Sequence, residues 1–280
     1  MMYTSHVPSP PLNSYIDDLY YLDGPAPHSR LKTFPLPFLH LMVNFGQAFS
    51  VSTSDQTRPF ATCTQSWWVG MFSTSHIVDW PSSVQFFGIH FKPGGAAPFL
   101  HLPLSELHNQ VVALDALWGH FAAELRERLH DAPTIRTGFA LFEKLLLARL
   151  SWVPQGLDLV HHALGEMTSH HGTLSVRKLS EHLGISQNHL NTQFKRLIGI
   201  SPKEFARLAR FFQVLRSIDP MRPVDWTLIA HKAGFYDQSH FNKEFVTLTG
   251  YNPTDYLRLR RRLCAQPPHQ RPFLGQLPIE

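Results

Sequence analysis

Apolar residues recur every three to four positions in two stretches 51 residues apart, Leu190, Phe194 and Leu197 in one and Phe241, Phe245 and Leu248 in the other. That period predicts two amphipathic helices, each with one buried stripe. Before each helix stands a favoured N-cap, Ser186 or Asp237, and before that a glycine, Gly184 or Gly234, suited to end an earlier helix in the left-handed conformation. The earlier helix carries a small residue, Ser180 or Ala230, where two short helices must cross closely. Two helix-turn-helix units are therefore predicted over 174–256. Leu179, Ser180, Gly184, Ser186, Leu190, Phe194, Gly199, Pro202 and Phe205 align with Ile229, Ala230, Gly234, Asp237, Phe241, Phe245, Gly250, Pro253 and Tyr256. The offset is 50 up to the glycine and 51 after it, so the slip falls inside the turn; self-similarity of this kind marks repeated structural units.

The first half reads differently. Residues 39–43 and 48–51 are β-type runs around Asn44-Phe45-Gly46, and 67–72 and 83–92 continue the series. In the last run Phe87, Ile89 and Phe91 alternate with Val84 and Phe86, so both faces are apolar and a central strand buried on both sides is predicted. Strands at this spacing form a barrel or sandwich. Two amphipathic helices are expected over 116–130 and 136–150, broken by Asp131-Ala132-Pro133, with Leu117, Phe121 and Leu125 on one stripe and Phe139, Phe142 and Leu146 on the other. These stripes either bury each other within the chain or pair two chains. Residues 151–156 read as a linker, 157–170 as a further helix, and Pro267, Pro268, Pro272 and Pro278 predict no ordered element after 262.

Opposite the two apolar stripes lie Gln187, Asn188, Asn191, Thr192 and Lys195 in the first unit and Gln238, Ser239, His240, Asn242 and Lys243 in the second. Amides, hydroxyls and cations of this kind can bond base edges and phosphates. The repeat resembles the AraC/XylS family of bacterial transcription regulators, over residues 157–262. The segment 234–245, whose core is Tyr236-Asp237-Gln238-Ser239-His240-Phe241, carries it most strongly, followed by 249–256. The resemblance extends to a subgroup with an uncharacterised N-terminal sensor domain, similar over 87–119. It implies a DNA-binding domain of two units on one long helix, Asn188, Asn191, Thr192, Gln238, Ser239, His240 and Lys243 as contacts to bases or nearby backbone, and by analogy a cupin-like barrel and pairing through the helices after it. Val214 stands where the family usually has a small residue.

Charge agrees with the division. Residues 173–262 hold 15 Lys and Arg against 7 Asp and Glu, an excess of +8, whereas the remainder holds 10 against 14, a balance of −4. A basic domain beside an acidic one suits a nucleic-acid partner for the first. Cys63 and Cys264 alone supply neither a disulfide framework nor a four-thiolate zinc site. Of the 18 histidines, the adjacent pairs His161-His162 and His170-His171 point in different directions on a helix and make no metal-binding face. No Gly-x-Ser-x-Gly, His-Glu-x-x-His or phosphate-loop motif occurs. Lys92-Pro93-Gly94-Gly95 reads either as an anion-holding turn or as a plain strand-to-helix connection.

The expectation is thus an α+β protein without a cofactor. A β-rich sensor or pairing domain occupies 1–152, a linker 153–156, a double helix-turn-helix domain 157–262 and a flexible tail 263–280. The protein is expected to be a cytoplasmic, sequence-specific transcription regulator whose partners are double-stranded DNA, a small-molecule effector, a second copy of itself, and RNA polymerase if it activates. Effector contacts are expected among His40, Arg58, Trp67, Trp68, Phe87 and His90. The rival is a small-molecule-binding module or enzyme in the N-terminal half with the helical half as an accessory.

Overall fold

The computed structural model describes residues 1–53, 58–150, 152–170 and 174–279. Its first part is built from ten strands: β1 (Met2–His6), β2 (Ile16–Pro25), β3 (Arg30–Thr33), β4 (His40–Asn44), β5 (Phe49–Ser52), β6 (Ala61–Cys63), β7 (Ser66–Val69), β8 (His76–Asp79), β9 (Ser83–Phe91) and β10 (Val111–Ala113). All pair antiparallel, in a six-stranded sheet of order β1-β2-β9-β4-β7-β10 and a second sheet ordered β3-β8-β5-β6. β9 lies between β2 and β4 and is buried on both faces, as its double apolar pattern requires.

Alternation along these strands splits the core in two. Tyr20, Leu22, Val84, Phe86 and Trp67 meet Phe49, Val51 and Cys63 between the sheets. Leu19, Tyr21, Leu41, Val43, Trp68, Phe87, Ile89 and Phe91 point to the other face of the larger sheet. That face is covered by α1 (Leu114–Trp118), α2 (His120–His130) and α3 (Ile135–Arg149). The helix expected over 116–130 is broken at Gly119, whose φ of 57° and ψ of −139° leave the helical region. Leu125, Phe142 and Leu146 are fully buried, and Phe139 and Phe142 stack edge-on against Phe87 at 5.4 and 6.3 Å. The two stripes are therefore core of a single chain and not the pairing surface the family analogy suggested. Pairing would leave them exposed in one subunit, whereas the sheet already covers them.

The second part is helical: α4 (Leu157–Ser169), α5 (Val176–His182), α6 (Gln187–Leu197), α7 (Pro202–Ser217), α8 (Trp226–Lys232), α9 (Gln238–Thr249) and α10 (Pro253–Cys264). Its buried residues join those on the outer face of the larger sheet in one continuous cluster. The linker reading falls between α3 and α4, where Trp152 and Val153 are exposed and Pro154 is buried; Ser151 lies outside the described residues, as does His171 of the second histidine pair.

The expected flexible tail is ordered instead. A strand β11 (Gln276–Pro278) pairs antiparallel with β3 and extends the second sheet to five strands, burying Leu277 completely. Proline density misleads here because β11 is an edge strand, where a missing N–H costs no ladder bond.

The Lys92-Pro-Gly-Gly segment is a junction between the halves. Gly95 lies so close to the Tyr15 carbonyl that a Cβ would overlap it, and Gly94, at φ 80°, faces Leu157 and Ile198. The Lys92 ammonium donates to the Asn13 carbonyl at 2.7 Å. The strand-to-helix connection is the reading that holds.

Candidate nucleic-acid interface

The helical half is built as the sequence pattern demands. α5 ends at Gly184 with φ 66°, and α8 ends at Gly234 with φ 77°. The turns that follow bond identically: Gly184 N donates to Glu181 O and Ile185 N to Ser180 O, while Gly234 N donates to His231 O and Phe235 N to Ala230 O. Ser186 then caps α6 by accepting from His189 N at 3.1 Å, and Asp237 caps α9 by accepting from His240 N at 2.7 Å. Such caps satisfy amides that the first turn leaves without a helical partner. Ser180 and Ala230 are buried at the crossings.

Leu190, Phe194 and Leu197 of α6 and Phe241, Phe245 and Leu248 of α9 are buried. α7 runs between the units and presents Phe205, Leu208, Phe211, Val214 and Leu215 to the core. Val214 is 1% exposed, so its branched side chain fills space in the connector core. Arg207 of α7 reaches Glu244 of α9 at 2.5 Å, which fixes the second unit on the connector.

The polar sets lie on the opposite faces. Gln187, Asn188, Thr192 and Lys195 are exposed and Asn191 is half-buried; Gln238, Ser239, His240 and Lys243 are exposed and Asn242 is half-buried. The structure thus brings each set together on one helix face. Thr192 Oγ1 donates to Asn188 O at 2.9 Å, leaving its oxygen lone pairs free to accept. Two exposed residues outside these sets share the neighbourhood, His189 on α6 and Tyr236 just before α9.

The six expected effector residues do not form one site. Neighbours along a strand face opposite ways, so Trp67 packs on Phe49 between the sheets while Trp68 stacks on Phe91 and Trp118 beneath the helices. Phe87 is committed to the helix-covered face, and Arg58 lies exposed on the chain before β6. Only His40 and His90 meet, with ring centroids 4.7 Å apart. Asp18 lies 2.5 Å from His90 Nδ1, and Tyr20 stacks on the same ring at 4.4 Å. Burial, reinforced by His90 and His76, holds His40 well below the ordinary imidazole range, and burial pushes His76 down to about 4. Among the described residues no three His, Cys, Asp or Glu side chains are placed to hold a metal ion. A cleft of about 570 Å³ opens elsewhere, between the β6–β7 segment and the start of α2; Cys63, Trp67 and His120 line it. Of the six, only Trp67 borders it.

The halves are joined through polar and aromatic contacts. Ser73 Oγ, after β7, donates to Glu204 at the start of α7, and His108 Nε2 lies 2.7 Å from the same hydroxyl. Lys32 of β3 sits over the Tyr251 ring at 5.0 Å, and Phe34 packs on Phe211 and Tyr256.

Two family models match this chain. A helix-turn-helix domain covers residues 179–259, spanning both units. The two units together therefore form a helix-turn-helix domain. The other model, a domain of unknown function (DUF6597), covers 4–113, which takes in all ten strands of the first half except the start of β1. Similar solved structures include ToxT from Vibrio cholerae, at 11% identity over 92% of this chain and 98% of that one with a TM-score of 0.49. A ToxT structure with an unsaturated fatty acid bound is similar at 12% identity over 85% and 93%, TM-score 0.46. The AraC-like transcriptional activator CuxR matches at 12% over 75% and 86%, TM-score 0.25. No curated protein matches the chain. No helix among the described residues is long and apolar enough to cross a membrane.

Proposed function

We propose that α6 and α9 are the reading helices, and that each lays its exposed polar face in the major groove of one operator. The observation that carries this is the matched pair of faces: Gln187, Asn188, Asn191, Thr192 and Lys195 on one helix, and Gln238, Ser239, His240, Asn242 and Lys243 on the other. Amides pair with adenine edges and lysines with guanine or phosphate. The 16 residues of α7 span about 24 Å, and the width of the units supplies the remainder of the ~34 Å between successive major grooves on one side of the duplex. A binding selection from random duplexes tests the proposal, since two conserved blocks about 10 base pairs apart are expected from a single chain.

In this reading residues 1–152 sense a signal and 157–262 bind DNA, as in the subgroup of AraC/XylS regulators with a separate sensor domain. The observation favouring a sensor role is the contact of Phe34 and Phe38, between β3 and β4, with the connector helix, through which a ligand in the first half would alter the pose of both reading units. The ligand-facing groups are His40 and His90 between the sheets, or the cleft beside Trp67. A thermal-shift screen of the full chain tests this, because a ligand that binds only the folded state raises the melting temperature. Pairing of two chains and contact with RNA polymerase belong to the same proposal. The pairing surface then lies away from the buried stripes of α2 and α3. A location in the cytoplasm follows from the DNA target.

A further inference from the structure

The register of the two units changes once, inside the turn. Their turns bond identically as far as Ile185 and Phe235, and their caps are Ser186 and Asp237. The residue that accounts for the offset is therefore Tyr236, inserted between the anchored turn and the cap of α9. Its neighbour Phe235 turns inward, packing on Phe241 at 5.3 Å and on His240 at 5.6 Å. With Phe235 directed inward and Asp237 engaged on the His240 amide, Tyr236 projects outward and is 94% exposed. Ile185, half-buried, is followed directly by Ser186, so the first unit has no counterpart.

An aromatic side chain left almost wholly in water packs on nothing in its own fold. Tyr236 stands one residue ahead of the N-cap of a reading helix, and such helices meet base edges with their N-terminal residues. A long side chain at that point reaches the rim of the groove, where the phosphates lie, and tyrosine hydroxyls are among the donors that bond them. Gln238 and Ser239, the first two residues of α9, are exposed beside it.

We propose that Tyr236 is a positioning residue for DNA, whose phenolic O–H donates to a backbone phosphate at the edge of the groove read by α9. This rests on the reading of α9 as a DNA-contacting helix. It makes the second unit the one held in register by an added neutral contact, and it gives the inserted residue a purpose that the first turn lacks.

The test measures affinity of the full chain for its selected duplex as a function of salt, with Tyr236→Phe, Tyr236→Ala and Asn191→Ala beside the wild type. Because the side chain is exposed, neither tyrosine substitution should disturb folding, which circular dichroism checks. Tyr236→Phe and Tyr236→Ala should each weaken binding about three- to tenfold, the worth of one hydrogen bond. The salt slope should stay unchanged, since no charge is removed. Ethylation of a single phosphate beside the α9 half-site should interfere with wild-type binding and not with Tyr236→Phe. If Tyr236→Phe binds as the wild type does while Asn191→Ala is weakened, the hydroxyl contact is overturned and the reading of the helices stands. Unchanged DNA affinity with reduced transcription would overturn it too, by assigning Tyr236 to a protein partner. A wild-type chain with no sequence preference would overturn both.

Discussion

Phe38, in the turn between β3 and β4, meets Phe212 of α7 edge-on with ring centroids 5.5 Å apart. The same ring touches His40 at 5.0 Å and His90 at 5.8 Å. One side chain of the first half therefore links the half-buried histidine pair to the helix that carries both helix-turn-helix units.

Phe38→Ala should remove that link. Half-buried aromatic contact of this size is worth about 2 kcal/mol, so the midpoint of denaturant unfolding should fall while operator affinity of the folded chain changes little. Any effector found to shift DNA affinity should lose most of that shift in the variant. Retention of the full effector response would show that coupling runs elsewhere.

Acid should destabilise the protein through His76. Its folded-state pKa of about 4 lies below the ordinary imidazole value, because burial disfavours the cation. The unfolded chain then binds more protons than the folded one between pH ~6.5 and ~4, so stability is complete above that window and is lost as pH falls through it. The loss is on the order of 3 kcal/mol at the acid end for this one group, and buried His40 adds to it in the same direction. His76→Phe, next to Phe72 at 4.1 Å, should flatten the acid limb of a plot of unfolding free energy against pH. An unchanged limb would show that His76 is not what titrates there.

Asn191 and Lys195 should fail in different ways. Asn191→Ala should cost about 1–3 kcal/mol and relax preference at one base pair. Lys195→Ala should weaken all sequences alike and lower the salt slope by about 1. Affinities on matched and mismatched duplexes at several salt concentrations separate the two, and equal effects of both on every sequence would contradict the assignment.

The C-terminal strand should matter to the strand-rich half. Leu277→Ala deletes a fully buried side chain in β11 and should cost about 2–4 kcal/mol. Limited proteolysis should then cut more readily near Trp152 and Val153, since the tail no longer ties the helical half back to β3. Wild-type cleavage rates in the variant would show that the tail contributes nothing to holding the halves together.

What could be read beforehand follows from how local each signal is. Ser186, Asp237, Gly184 and Gly234 act within their own turns, and the stripes on α6 and α9 repeat within a few residues, so the helical half was legible in detail. The extent of β2 was not, because Leu19, Tyr20, Tyr21 and Leu22 are buried in succession and show no alternation. β11 was hidden by composition, and its partner β3 lies more than 240 residues away in sequence. Periodicity located the stripes of α2 and α3 but carries no information about what covers them; Phe87 decides that. The effector set erred where the sequence held the correction, since adjacent Trp67 and Trp68 in one strand cannot share a face. Tyr236 was signalled by the change of offset, although only the matched turn bonds show which residue is extra.

The most direct measurement is a hydroxyl-radical footprint of the full chain on a selected duplex. Two protected segments are expected on one face of the duplex, centred about one turn apart, with Asn191→Ala losing protection in the α6 segment and Lys243→Ala in the α9 segment. A single protected segment unaffected by either substitution, or protection without sequence preference, would contradict it.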